Sequence, residues 1–341
     1  SRSRGQAIMV FDAGQLPLLL RELPDTDVLL GKPVPAAAAQ QAIIANPDAA
    51  LAVQWLVDSE RRLDDYAALA VALKQRLRIS VELDVGLRRG GVGDEAQLGR
   101  ILDGIAARPQ ALQFTGFMGY DGHVPHAPPL FGPGKERAVR KAFADVLATY
   151  QRYVDAARTR QPQWFAANAP ALTIHSGGSR TVTRYAGVHT VVNDLSLGSG
   201  LVKPLQYVDP ALSEFEPALF LSSPILKKQC RAPLPYLDSL WGLMTAWDRN
   251  LACGYFLYGS TWDGDVVYPQ GLVPGYYNDG PIRNLLPNQQ LLTGSADVRA
   301  DELDFVLVWP READNLGAFG RILAVRGDHV EARWEPLPFL N

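Results

Sequence analysis

The chain has 341 residues, 47% hydrophobic and 20% charged, with a formal net charge of −3. That suits one large or two ordinary globular domains. The lack of a basic run excludes a non-specific nucleic-acid binder, and no apolar run reaches the ~18 residues of a membrane helix.

In chain order, residues 7–11 read as a strand and 15–23 as a helix. Strand 27–30 leads into the alanine-rich helix 36–45, and strand 51–57 into the long helix 60–77. "ISVELDVGLRRGGVG" follows: a strand from residue 79, then a glycine-rich turn, then helix 95–107. Residues 114–120 form the fifth strand. The Pro/Gly loop "HAPPLFGPGKE" and helix 136–158 come next, then strands 171–175 and 191–197. Short apolar runs alternating with helical periodicity predict βα units and a parallel sheet. Seven strands are one short of a (β/α)8 barrel. The chain starts abruptly, without Met, just before "AIMVF", so a first strand is expected upstream of residue 1. After Val202-Lys203-Pro204 the helical periodicity fades, and "YFLYGSTW" and "DFVLVW" read as strands. The expected division is a (β/α) barrel over 1–205 and a mostly β domain over 206–341. Two cysteines, Cys230 and Cys253, are too few for a disulfide framework or a zinc cluster and point to a reducing compartment, the cytoplasm.

Three stretches carry candidate chemistry. On the fourth strand Ile79, Val81, Leu83 and Val85 suit the helix side, so Glu82 and Asp84 point into the barrel. The turn beyond Gly86 then brings Arg88 and Arg89 to its C-terminal mouth. "IHSGGSRT" places Ser176, Gly177, Gly178 and Ser179 after a strand, where a backbone nest can hold phosphate. "LSLGSGLV" places Gly198 and Ser199 at the end of the next strand, and glycine turns after the last two strands are where many barrels hold a phosphate. "GFMGYDGH" ends the fifth strand with Tyr120, which can stack on a flat cofactor, and His123, which can transfer a proton or bond locally. His175 suits either a structural or a catalytic role. His126 and His189 look peripheral. His329 and Glu331 share one strand face, but two ligands at that spacing do not define a metal site.

This ordered set resembles the fold-type III, pyridoxal-phosphate-dependent family, in the branch of D-threonine aldolases and D-serine dehydratases, with alanine racemase a more distant relative. "DVGLRRGGV" is similar to the family's Asp-Val-Gly-x-x-Arg-x-Gly-Val segment, "GYDGH" to its tyrosine-containing segment, "SGGS" to its phosphate turn and "LGSG" to its last-strand Gly-Ser. The resemblance implies pyridoxal 5'-phosphate (PLP) as cofactor, bound by Arg89, Tyr120, Ser176, Gly177, Gly178, Ser179, Gly198 and Ser199. Arg89 falls on the arginine beside the pyridine nitrogen. Tyr120, His123 and His175 are the catalytic candidates. The family's PLP-binding lysine closes the first barrel strand. Lys32, in "LLGKPVP", does not match that place and is read as a surface residue, so the lysine is expected upstream. "GDHVEARW" only faintly echoes the His and Asp or Cys that hold a divalent metal in this branch, so no metal ligand is assigned. The function implied is a PLP-dependent lyase acting on a D-amino acid or β-hydroxy-amino acid. The substrate is a small molecule, the assembly a homodimer, and neither nucleic acid nor membrane is a partner. Two alternatives stand beside it. One is a racemase, drawing a base from Tyr255, Tyr258, Tyr276 or Tyr277. The other is a PLP-binding protein without turnover.

Overall fold

Side chains that belong to non-neighbouring strands meet on one face of the main sheet. In the computed structural model, which describes residues 7–129, 134–230, 238–259, 262–275 and 289–336, the first seven strands are β1 (Ala7–Val10), β2 (Asp27–Leu30), β3 (Val53–Val57), β4 (Leu77–Glu82), β5 (Leu112–Met118), β6 (Thr173–Ser176) and β7 (Asp194–Leu195). They form one parallel sheet in sequence order. Gln54 on β3 donates from Nε2 to Asp27 on β2 and to Thr173 on β6, both at 3.1 Å. Arg78 on β4 pairs with the same Asp27. A bond from the third strand to the sixth is possible only if the sheet curls around that face, which gives the barrel-like wall.

The helices α1 (Leu16–Glu22), α2 (Ala36–Ala45), α3 (Ala49–Ala52), α4 (Glu60–Leu73), α5 (Glu95–Ala106) and α6 (Lys135–Arg160) lie in the connections. Every residue of β3 and β4 is buried, as expected of parallel strands covered on both faces. On β4 the aliphatic Leu77, Ile79 and Val81 alternate with Arg78, Ser80 and Glu82. Arg78 marks the latter set as the one facing Asp27 and Gln54.

Several expected boundaries move. The helix begun at Glu60 stops at Leu73, because Lys74 turns left-handed at φ 51°, and Leu77 is released to open β4. Leu51 and Ala52 belong to the short helix α3 rather than to β3. The expected strand 191–197 shrinks to Asp194–Leu195.

By compactness the chain divides into Ser1–Gly198 with Gly317–Asn341, and Ser199–Leu316. The second unit holds β8 (Leu221–Gln229), β9 (Cys253–Leu257), β10 (Gly264–Tyr268), β11 (Leu272–Pro274), β12 (Leu291–Gly294) and β13 (Phe305–Pro310). They form an antiparallel sheet in the order β10-β13-β8-β9-β12-β11. A short helix, α7 (Trp241–Trp247), interrupts the strands. Cys230 and Cys253 are joined by a disulfide between the end of β8 and the start of β9. The expectation of a reducing compartment rested on the small number of cysteines, and their pairing here weakens that support. A hairpin of β14 (Ile322–Arg326) and β15 (His329–Trp334) follows. Among the described residues no helix is long and apolar enough to cross a membrane.

Candidate functional site

The turn after β4 is built by one acid. Asp84 Oδ1 accepts from the backbone N–H of Gly86 at 2.9 Å and of Arg88 at 3.0 Å. Its carboxylate caps the turn, as short acidic side chains do. Gly86 at φ 120° and Gly91 at φ 92° supply the backbone angles, and Arg88 takes φ 57° despite its side chain. Glu82 remains buried at the strand end. Burial pushes its carboxyl above the ordinary range, and the facing Arg89 opposes that shift. Arg89 Nη2 stands 3.8 Å from Glu82 Oε1 and 3.4 Å from the Gly31 carbonyl oxygen. Its guanidinium lies 5.0 Å from the centroid of the Tyr120 ring.

Tyr120 leaves β5 half-exposed and rests on glycines. A Cβ on Gly178 would come within 2.7 Å of its ring, and one on Gly122 within 2.5 Å. Arg89, Tyr120 and Gly178 therefore form one continuous surface, drawn from the ends of β4, β5 and β6. His123 packs on the β4 turn: its Nε2 lies 2.8 Å from where a Cβ of Gly86 would be.

After β6, Gly177 takes φ 81°, and the Gly178 carbonyl accepts from the N–H groups of Thr181 and Val182, both at 2.9 Å. The register His175↔Asp194 and Ser176↔Leu195 sets β6 beside β7, so the turns at Gly177 and at Gly198 leave adjacent strand ends. His175 Nε2 and Ser196 Oγ, 2.7 Å apart, join the two strands just below. Burial lowers the His175 pKa to about 4, and its Nδ1 has no hydrogen-bond partner among the described residues. Ser176 faces the other way, with its Oγ 2.8 Å from Tyr185 OH. Ser176 is wholly buried. Ser199 begins the second unit.

Outside this surface the remaining candidates scatter. Lys32 is exposed after β2, and His126 and His189 are exposed. His329 pairs with Asp328 at 3.1 Å and Glu331 with Arg326 at 2.9 Å. Among the described residues no group of three potential metal ligands occurs. Tyr255 is wholly buried and Tyr258 exposed; Tyr276 and Tyr277 lie outside the described residues. Asp121, the acid of "GYDGH", carried no assignment from the sequence, yet it has no exposed surface and lies behind the glycine turn.

A phosphate-bearing, flat, anionic cofactor fits these features. The paired-strand glycine turns give close backbone approach, Tyr120 gives an aromatic wall, and Arg89 a cation beside it. The family model described as "Alanine racemase, N-terminal domain" matches residues 18–201. No curated protein sequence matches the chain. Among solved structures, D-threonine aldolase from Filomicrobium marinum is similar with a TM-score of 0.68 at 16% identity, over 96% of this chain and 81% of that one. D-threo-3-hydroxyaspartate dehydratase from Delftia sp. HT23 aligns at TM-score 0.66 and 16% identity, over 98% and 84%. Alanine racemase of Clostridium difficile 630 aligns at 0.60 and 14%, over 92% and 76%. At these identities the structural likeness is one of fold.

Proposed function

The chain belongs to the alanine racemase N-terminal-domain family, and on that premise we propose that it is a PLP-dependent lyase acting on a D-amino acid or β-hydroxy-amino acid. The observation that carries the proposal is the contiguous surface of Arg89, Tyr120 and Gly178, next to the paired turns after β6 and β7.

In this reading the backbone N–H groups of Gly177, Ser179 and Gly198 hold the phosphate, and Gly178, whose N–H is given to Thr181 Oγ1, lets it approach closely. Ser199 opens the second unit, so the proposal rests on first-unit residues alone. When bound, PLP supplies an electron sink that weakens the bonds at the α carbon of an amino acid. Tyr120 presents its ring as a wall and its hydroxyl as a donor. Arg89 places positive charge at the mouth and is itself oriented by buried Glu82. His175 is neutral at pH 7, and its burial makes it a weak base there. His123, packed on Gly86, is placed to steady the β4 turn.

The test is PLP binding by the 341-residue chain, followed by release of an aldehyde or an oxo acid from D- and L-β-hydroxy-amino acids. Release from the D-enantiomers alone is expected. Exchange of the α proton in deuterated water without bond cleavage would replace the lyase by a racemase. Stable PLP binding without either reaction would favour a carrier, and no PLP binding at all would overturn the proposal. Assembly as a homodimer is part of it and is read by sedimentation.

A further inference from the structure

The carboxyl group of Asp121 is fully buried and has no part in the chemistry proposed above. It accepts from Thr181 Oγ1 at 2.7 Å and from Tyr185 OH at 2.9 Å, one donor on each oxygen. Both donors also serve the glycine turn. Thr181 Oγ1 accepts from the backbone N–H of Gly178 at 3.0 Å. Tyr185 OH and Ser176 Oγ lie 2.8 Å apart. A phenol has one proton, so with that proton on Asp121, Tyr185 accepts from Ser176. Ser176 and Gly178 are the two neighbours of Gly177, whose φ of 81° makes the bend.

The chemical type of residue 121 matters here. An ionised carboxylate only accepts, so both hydroxyls must point their protons at it and turn their lone pairs to the glycine turn. An asparagine would set an NH2 group against one of those hydroxyls. Burying a carboxylate costs more than burying an amide, so stability alone does not call for an acid at this place.

We infer that Asp121 is a positioning residue for the phosphate turn, gripping it on both sides of Gly177 through Thr181 and Tyr185. This rests on reading that turn as the phosphate site. Nothing in it requires Asp121 to touch cofactor or substrate.

The experiment compares the full chain with Asp121→Asn, Thr181→Val and Thr181→Ser. Dissociation constants are measured for PLP and for pyridoxal, which lacks the phosphate, and amide exchange of residues 177–181 is followed without ligand. Asp121→Asn and Thr181→Val are expected to weaken PLP about tenfold or more while pyridoxal is nearly unchanged, and to speed exchange across the turn. Thr181→Ser, which keeps the hydroxyl, should match the wild type in both. A purely structural role would weaken both ligands alike. That result, or unchanged exchange in Asp121→Asn, would overturn the inference. Should Asp121→Asn not fold, Thr181→Val carries the same test. A wild type that binds PLP no better than pyridoxal overturns the phosphate reading and this inference with it. A wild type that prefers PLP, beside variants that prefer it equally, overturns the inference alone.

Discussion

The guanidinium of Arg89 stands between two unlike groups: the Tyr120 ring, 5.0 Å from its centroid, and the buried carboxylate of Glu82, 3.8 Å from Nη2. Replacing Arg89 by Met leaves Glu82 buried without the cation that faces it. A loss of about 1–2 kcal/mol is expected, less than for a fully buried pair because Arg89 is half-exposed. Adding Glu82→Gln should recover much of it in urea unfolding. A further loss in the double variant would show that the two groups do not act as a pair.

His175 makes stability depend on pH. Its pKa falls from 6.5 to about 4 on burial, so between those values the unfolded chain binds more protons. Its contribution is complete above pH 6.5 and is lost as the pH falls toward 4. The loss is about 2 kcal/mol by pH 5, at 1.4 kcal/mol per pH unit. His175→Gln should remove that part of the pH 7 to pH 5 difference. Equal pH slopes in both proteins would mean that the imidazole is not buried neutral.

Gly178→Ala sets a methyl group 2.7 Å from the Tyr120 ring. The ring must swing away, and PLP affinity should drop about tenfold with little change in melting temperature. In a Tyr120→Ala background the same change should cost almost nothing more, since the coupling is through contact. Independent effects in this cycle would show that the ring does not rest on the turn.

Gly116→Ala is the expected severe fold lesion. Its Cβ would fall 1.8 Å from the Thr173 carbonyl oxygen, and its φ is 143°. The obstacle is backbone of the paired strand and cannot rotate aside. A loss above ~4 kcal/mol is expected, seen as insoluble or unfolded protein. A soluble variant with an unchanged melting temperature would contradict the β5–β6 register.

Without reductant, the unfolded chain should take up no thiol-alkylating label, because Cys230 is bonded to Cys253. Reduction followed by alkylation should lower stability by about 2–4 kcal/mol. Two labels on the unreduced chain would show that the two cysteines are not paired.

The parallel βα order and the antiparallel texture of the second part were legible because apolar periodicity reports them directly. Arg89, Tyr120 and Gly178 were assigned to the ends of consecutive strands by the same pattern, and the fold brings the three into contact. For Asp84, alternation assigns a face and is silent about the N–H groups of the next turn, which its carboxylate caps. Asp121 escaped because its partners, Thr181 and Tyr185, lie some sixty residues away, and a single sequence has no period on that scale. Cys230 and Cys253 escaped likewise, since their pairing follows from the β8–β9 register.

The bonds from Gln54 to Asp27 and Thr173, with Arg78 on the same Asp27, sit where many barrels place aliphatic side chains. Leucines and valines would hold the strands together with little regard for which residue met which. These groups discriminate. A one-residue slip of β3 turns Gln54 outward, toward the helices, and takes it away from Asp27 and Thr173. The polar floor therefore favours one alignment of the strands over its neighbours, and with it the placing of the strand ends above.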